Sequence, residues 1–217
     1  MLDLGCGNKP YYNIYTPLCS ESVGCDVPHS LHKDSRVEVE CSAEDIDKYF
    51  DPESFDTILC TEVIEHTFDD RKVAENIGRL LKPGGAVIIS APFTYVLHEA
   101  PHDYRRYTLY GLSRLLEDNG FEISSSAAMG GTFSSAFFIC HYWVMKTFYF
   151  ILKKFGLSNL RNNTLLKFAW GLPEFVMYKA IRPSFMRKLR EGKHPSVYEN
   201  FSSSGYLIVA RKRGSGK

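Results

Sequence analysis

The residues best suited to chemistry crowd into one stretch, Leu97-His98-Glu99-Ala100-Pro101-His102-Asp103-Tyr104-Arg105-Arg106-Tyr107-Thr108. An imidazole titrates near neutrality and serves as a general base, so His98 or His102 can take a proton from a substrate. Arg105 or Arg106 can hold an anionic group, and Tyr104 can pack on a substrate. The same types also make an ordinary loop, with an Asp103–Arg ion pair and Thr108 as a helix N-cap. His66 follows Glu65 in a separate polar stretch and reads more readily as a capping or hydrogen-bonding residue than as a catalyst. Glu62 and Glu65 carry carboxylates at metal-ligand spacing, but the sequence shows no matching His or Cys cluster, and no metal is expected.

A second constellation binds rather than reacts. Leu2-Asp3-Leu4-Gly5-Cys6-Gly7-Asn8-Lys9-Pro10 is a short apolar strand running into a glycine turn. Glycines at that position let the backbone turn tightly and approach a ligand. Asn8 can cap a following helix whose first turn holds Pro10, and free N–H groups there suit a carboxylate. Asp26 ends the next strand, about twenty residues on, where an acid accepts hydrogen bonds from ribose hydroxyls. The dinucleotide fingerprint needs a third glycine where this chain has Pro10, which counts against a nicotinamide-dependent oxidoreductase.

Both constellations need a sheet to position them. Strands are expected at Leu2–Leu4, Val23–Val27, Phe55–Cys60, Ala86–Ser90, Phe121–Ile123 and Tyr206–Ala210. A helix carries Val73, Ile77, Leu80 and Leu81 on one stripe, capped by Asp69 or Asp70 and stopped by Lys82-Pro83-Gly84-Gly85. A second carries Leu109, Leu112, Leu115 and Leu116 and ends at Asn119-Gly120. Strands alternating with helices imply a mostly parallel sheet with helices on both faces. Loops at the strand carboxyl ends, including residues 97–108, then face the ligand crevice.

More than eighty residues separate the last two strands, far beyond a hairpin loop. Residues 1–129 plus 204–213 therefore read as one α/β domain, and residues 130–203 as a helical, aromatic and basic insertion. Charge divides the same way. Residues 1–129 hold 11 Lys+Arg against 22 Asp+Glu, whereas residues 130–205 hold 11 against 3. Phe133–Phe155 is apolar nearly all round, which fits a cap helix over the active site or a helix lying on a bilayer. His141 and Lys146 disfavour a membrane span. Lys179, Arg182, Arg187, Lys188, Arg190 and Lys193 favour an anionic partner, such as a lipid-linked acceptor or an anionic membrane surface. Nucleic acid is disfavoured, since no recognised binding module accompanies the patch. The six cysteines form no C-x-x-C pair, and Met1 leads directly into a strand motif, so a cytoplasmic chain is expected, attached at most peripherally to a membrane.

The ordered motifs carry a family likeness. Leu2–Gly7 resembles the first motif of class I S-adenosylmethionine-dependent methyltransferases, and Ser42-Ala43-Glu44-Asp45 their adenine-side loop, with Ser42 where an Asp is common. Phe55-Asp56 and Thr61-Glu62-Val63-Ile64-Glu65-His66 resemble the fourth strand and its loop. Leu80-Leu81-Lys82-Pro83-Gly84-Gly85 resembles the approach to the fifth. Together they resemble the type 11 methyltransferase family over about residues 1–125 plus the final strand. The resemblance implies a Rossmann-like, mostly parallel seven-stranded sheet with an antiparallel last strand and a helical insertion before it. It also implies S-adenosylmethionine as cofactor. Asp3, Gly5 and Gly7 would then line its methionine and ribose side, Asp26 would hold the ribose, and Ala43 and Glu44 would flank the adenine. Thr61 and Glu62 would close the pocket. The expected activity is methyl transfer to a small, glycan-like or lipid-linked acceptor. The alternatives are a non-catalytic protein of this fold acting through its basic insertion and, more remotely, the oxidoreductase.

Overall fold

A computed structural model describes residues 1–28, 36–157 and 204–214, apart from the side chains of residues 132–134. Its strands are β1 (Leu2–Leu4), β2 (Val23–Asp26), β3 (Val39–Glu40), β4 (Phe55–Thr61), β5 (Leu81–Pro92), β6 (Phe121–Met129) and β7 (Gly205–Lys212). Its helices are α1 (Tyr12–Tyr15), α2 (Asp70–Leu80), α3 (Leu109–Asp118) and α4 (Thr132–Lys154). The strands make one seven-stranded sheet in the order β3-β2-β1-β4-β5-β7-β6. β1 pairs parallel with β2 and β4, β2 with β3, and β4 with β5, while β7 runs antiparallel to β5. This is the Rossmann-like arrangement expected of the motifs.

Local chemistry accounts for the elements. Leu2, Leu4, Ile58, Cys60, Val87 and Ile89 are buried on adjoining strands, as continuous apolar runs in a parallel sheet must be. α2 buries Val73, Ala74, Ile77 and Leu80 from a single face. The Asp69 carboxylate caps it by accepting the Lys72 N–H at 3.0 Å, and the Thr108 hydroxyl caps α3 by accepting the Gly111 N–H at 3.0 Å.

Two local expectations change, and one strand was not foreseen. The helix after the glycine turn is one turn long and begins at Tyr12, with no side-chain cap, so Asn8 is not its N-cap. Lys9 takes φ of +50°, which ends any helix that would start beside Asn8. Lys82-Pro83-Gly84-Gly85 does not separate α2 from β5, because β5 already begins at Leu81 and an irregular register across Phe55–Thr57 absorbs the extra residues. β3 is two residues long and shows no alternation by which sequence could find it.

The chain divides into two compact units, one of residues 1–93, 97–127 and 205–217, the other of residues 94–96 and 128–204. In the first, an ion pair fixes the glycine turn. Lys9 is buried, and its Nζ donates to both Glu38 carboxylate oxygens at 2.9 and 2.7 Å, while the Gly24 N–H donates to Glu38 at 2.6 Å. Burial pushes the Glu38 carboxyl up, but Lys9 and the Gly24 N–H outweigh it and hold it below its ordinary 4.5. Glu38→Gln leaves the Lys9 charge poorly matched and is expected to destabilise the protein by about 1–3 kcal/mol, a figure reduced for the half-exposed carboxylate. A carboxyl depressed in the folded state contributes above its unfolded value and loses that contribution as pH falls. The gap between wild type and Glu38→Gln in urea denaturation should therefore be full at pH 7 and shrink below pH 4.5.

In the second unit, α4 is long and apolar enough, over Ser135–Lys154, to cross a membrane by length and composition, and 11% of that stretch is buried. Trp143, Val144 and Phe150 are exposed on it, and Phe155 just past its end. The Lys146 ammonium lies 5.1 Å from the Trp143 ring centroid. The basic cluster from Lys179 to Lys193 lies outside the described residues.

Candidate active site

The carboxyl ends of β1, β2 and β4 open onto a cavity of about 610 Å³ within the first unit. Gly5, Gly7, Asp26, Ala43, Glu44, Glu62, His66, His102 and Tyr104 all line it. Its position follows from the parallel sheet, whose strand ends all point the same way.

The glycine turn is built for close packing. Gly5 has φ of +69°, and a Cβ there would sit 2.2 Å from Cγ2 of Val63, another cavity residue. The Gly5 and Cys6 N–H groups both donate to the Cys25 carbonyl, at 2.8 and 2.9 Å, which ties the turn to β2. Asp26 faces the turn. Its Oδ2 accepts the Gly7 N–H and its Oδ1 the Val27 N–H, both at 2.7 Å. Each carboxylate oxygen keeps a second lone pair for a ligand hydroxyl. The loop of residues 42–44 is held from behind by Asn76 on α2, whose amide donates to the carbonyls of Ala43 and Glu44 at 3.3 and 3.0 Å. The Ser42 hydroxyl accepts the Glu44 N–H at 3.2 Å.

On the opposite wall, Glu62 adopts φ of +54° just past β4, and its carboxylate accepts the Ser90 hydroxyl at 2.7 Å. A non-glycine residue held in that region is costly and is found where surrounding structure fixes it, commonly at functional sites. The loop of residues 97–108 is pinned by the Tyr104 N–H on the Glu65 carbonyl and the Tyr107 N–H on the Pro92 carbonyl, each 2.9 Å. His102 Nδ1 and the Tyr104 hydroxyl are 3.0 Å apart, so both present polar atoms at the cavity rim.

Other expected site residues stand elsewhere. Asp3 is buried and accepts the Tyr15 hydroxyl at 2.9 Å, and burial pushes its carboxyl up. Neither it nor Thr61 lines the cavity. His98 does not line it either. Its Nδ1 is 3.3 Å from the Asp103 carboxylate and its ring lies edge-on to His66 at 4.7 Å. Arg105 donates to the carbonyls of Thr67 and Phe68 at 2.7 and 2.9 Å and lies 3.2 Å from Asp70. Arg106 is clamped by Asp103, whose carboxyl it holds down at about 2. Both guanidinium groups thus fasten the loop instead of reaching into the cavity, because each finds nearer acceptors in its own surroundings.

Sequence reasoning missed Asn76, Val63, Thr67 and Phe68. The last three immediately follow the carboxyl end of β4, and that position was the available signal. Phe68 is exposed at the rim with its ring edge-on to Tyr104 at 5.9 Å. Behind His66, the Glu65 side chain is fully buried with neither carboxylate oxygen hydrogen-bonded, and burial pushes its carboxyl up to about 8.

Sheet order, reversed β7 and a cavity at the strand ends with Asp26 opposite the glycine turn make this a Rossmann-like α/β domain with its candidate site where such folds bind ligands. In sequence comparison, residues 2–89 match the family model described as "Methyltransferase domain". The ubiquinone biosynthesis O-methyltransferase of Paraburkholderia phymatum is 30% identical over 132 residues, 49% of this chain and 57% of that protein. The chain spans about half the length of the curated relatives it matches. Among solved structures, a SAM-dependent methyltransferase from Archaeoglobus fulgidus has a TM-score of 0.57 at 16% identity, covering 97% of this chain and 85% of the other. The [4+2]-cyclase SpnF has a TM-score of 0.55 at 17% identity, covering 99% and 74%. The fold therefore serves more than one reaction, and the site must argue the chemistry.

Proposed function

We propose that this chain transfers the methyl group of S-adenosylmethionine to a hydroxyl of a small acceptor with an apolar, lipid-like portion. The observation that carries this is one continuous cavity that runs from Asp26 and the glycine turn to the His102–Tyr104 pair. The volume suits a drug-sized ligand, for which cavities of about 300–1,000 Å³ are usual. Asp26 would take the ribose hydroxyls, and Cys41, Ala43 and Val63 offer apolar surface to an adenine. Bound S-adenosylmethionine supplies an electrophilic methyl group on a sulfonium. The protein holds the acceptor oxygen in line with it and excludes water. His102 would receive the hydroxyl proton as the acceptor oxygen takes the methyl group, whose bond to the sulfonium would break to leave a neutral thioether. The name of the O-methyltransferase relatives supports an oxygen acceptor.

In this reading, α4 of the second unit is the surface by which the chain meets a membrane that holds an apolar acceptor. Exposed aromatics along α4 favour an interfacial helix on an anionic, cytoplasm-facing membrane. The test is methyl transfer from labelled cofactor to a panel of phenolic, sugar and amine acceptors, free or in anionic vesicles. Label on a phenolic or other hydroxyl, with protein pelleting on anionic but not neutral vesicles at low salt, is the expected result. Label on amines alone would refute the oxygen acceptor, and equal partition between vesicle types would refute the charged surface.

A further inference from the structure

The side chains of Glu65, His66 and His98 bring one ligand atom each to within 4.8 Å of one another. Thirty-odd residues of sequence separate His98 from the other two, so spacing alone conceals the cluster. We propose that these three residues bind one divalent transition-metal ion in the wall of the cavity.

Three observations carry it. First, Glu65 is fully buried and neither of its carboxylate oxygens has a hydrogen-bond partner. A buried carboxylate without partners is expensive, and a bound cation is one of the few things that satisfies it. Second, both imidazoles are oriented from behind. His66 Nδ1 lies 2.7 Å from the His102 carbonyl oxygen and so donates to it, which aims Nε2 at Glu65 Oε1, 3.7 Å away. His98 Nδ1 lies 3.3 Å from the Asp103 carboxylate, and a ring nitrogen of His98 lies within 4.8 Å of the other two ligand atoms. A ring nitrogen fixed by a carbonyl or a carboxylate, with the other facing the ion, is how protein scaffolds set metal-binding histidines. Third, the spacing is nearly right. Bonds of about 2.0–2.2 Å to a tetrahedral ion place ligand atoms roughly 3.3–3.6 Å apart; the Glu65–His66 pair stands at 3.7 Å and all three ligand atoms lie within 4.8 Å, so the set closes on an ion by side-chain rotation alone.

Two imidazoles and one carboxylate select zinc, cobalt, iron or manganese over calcium or magnesium. With three protein ligands, the ion keeps open positions, and His66 lies on the cavity surface while His98 does not. Glu99 Oε2, 3.9 Å from His66 Nε2, stands on the cavity side of the cluster. An ion held there would polarise an oxygen ligand and ease its deprotonation, which complements the role given to His102. The binding claim itself does not depend on methyl transfer.

The test uses untagged, chelator-stripped protein titrated with Co(II) and with Zn(II), read by calorimetry and by the visible d–d bands of Co(II). One equivalent should bind, with affinity about tenfold or more weaker in His98→Ala and in His66→Gln. Circular dichroism and thermal unfolding of each variant establish that it is folded. Absence of stoichiometric binding by wild type would overturn the proposal. So would binding of equal affinity in both folded variants, which would place the ion on other histidines. Methyl transfer that survives while metal binding fails would refute this inference and leave the proposed function standing.

Discussion

His102→Ala is expected to lower kcat for a hydroxyl acceptor by about 10²–10⁴-fold while leaving the dissociation constant of S-adenosylmethionine within about threefold of wild type. The asymmetry follows from geometry. His102 meets the cavity at the rim beside Tyr104, whereas the proposed ribose end lies at Asp26 and the glycine turn. His102 also contributes its backbone carbonyl to His66, and that contact survives loss of the side chain. A structural role for the ring would instead lower thermal stability and change both substrates together. The pH profile separates the possibilities further, because loss of a general base removes the rise of kcat/KM with pH. An unchanged kcat would assign proton transfer to solvent or to another group.

Gly5→Ala is expected to weaken S-adenosylmethionine binding about 30-fold or more, a loss of about 2 kcal/mol. The added methyl meets two obstacles at once. The backbone is at φ of +69°, where an alanine is strained, and Cβ would lie 2.2 and 2.9 Å from the two Val63 methyl carbons. Val63 is β-branched and stiff, so it cannot swing aside as a long side chain would. Either the turn moves away from β2, breaking the Gly5 and Cys6 bonds to Cys25, or Val63 moves into the cavity. Both deform the cofactor end, and the native cavity should be recoverable in part by Val63→Ala in the Gly5→Ala background. Failure of that second substitution to restore any binding would show that backbone strain dominates the clash.

Much of the fold was legible because its strands are buried on both faces and therefore read as unbroken apolar runs. The latter half of β5 is of this kind, whereas Leu2–Leu4 sets Asp3 between two leucines and Phe55–Thr61 opens with alternation before its apolar Ile58–Cys60. The helix caps were equally legible, since Asp69 and Thr108 act through contacts within one turn. What sequence could not supply was tertiary. The short helix after the glycine turn is cut off by a Lys9 conformation that depends on Glu38, almost thirty residues away. At the site, the polar residue types stand out in the sequence, but their division of labour depends on neighbours. Arg105 and Arg106 fasten the loop because Thr67, Phe68 and Asp103 lie closer to them than any cavity ligand would. His98 lies behind His66, where spacing had suggested a base facing substrate. Asn76, which anchors residues 43 and 44, looked like an ordinary polar residue on a helix until its two carbonyl partners were placed.

The central claim is that the cavity between the glycine turn and the loop of residues 42–44 holds S-adenosylmethionine through Asp26. Calorimetric titration of wild type and Asp26→Ala with S-adenosylmethionine and with S-adenosylhomocysteine tests it most directly. Micromolar binding of both ligands by wild type, weakened tenfold or more in a folded Asp26→Ala (about 1.4 kcal/mol), is the predicted result. Absence of binding by folded wild type, or equal affinity in the variant, would contradict it.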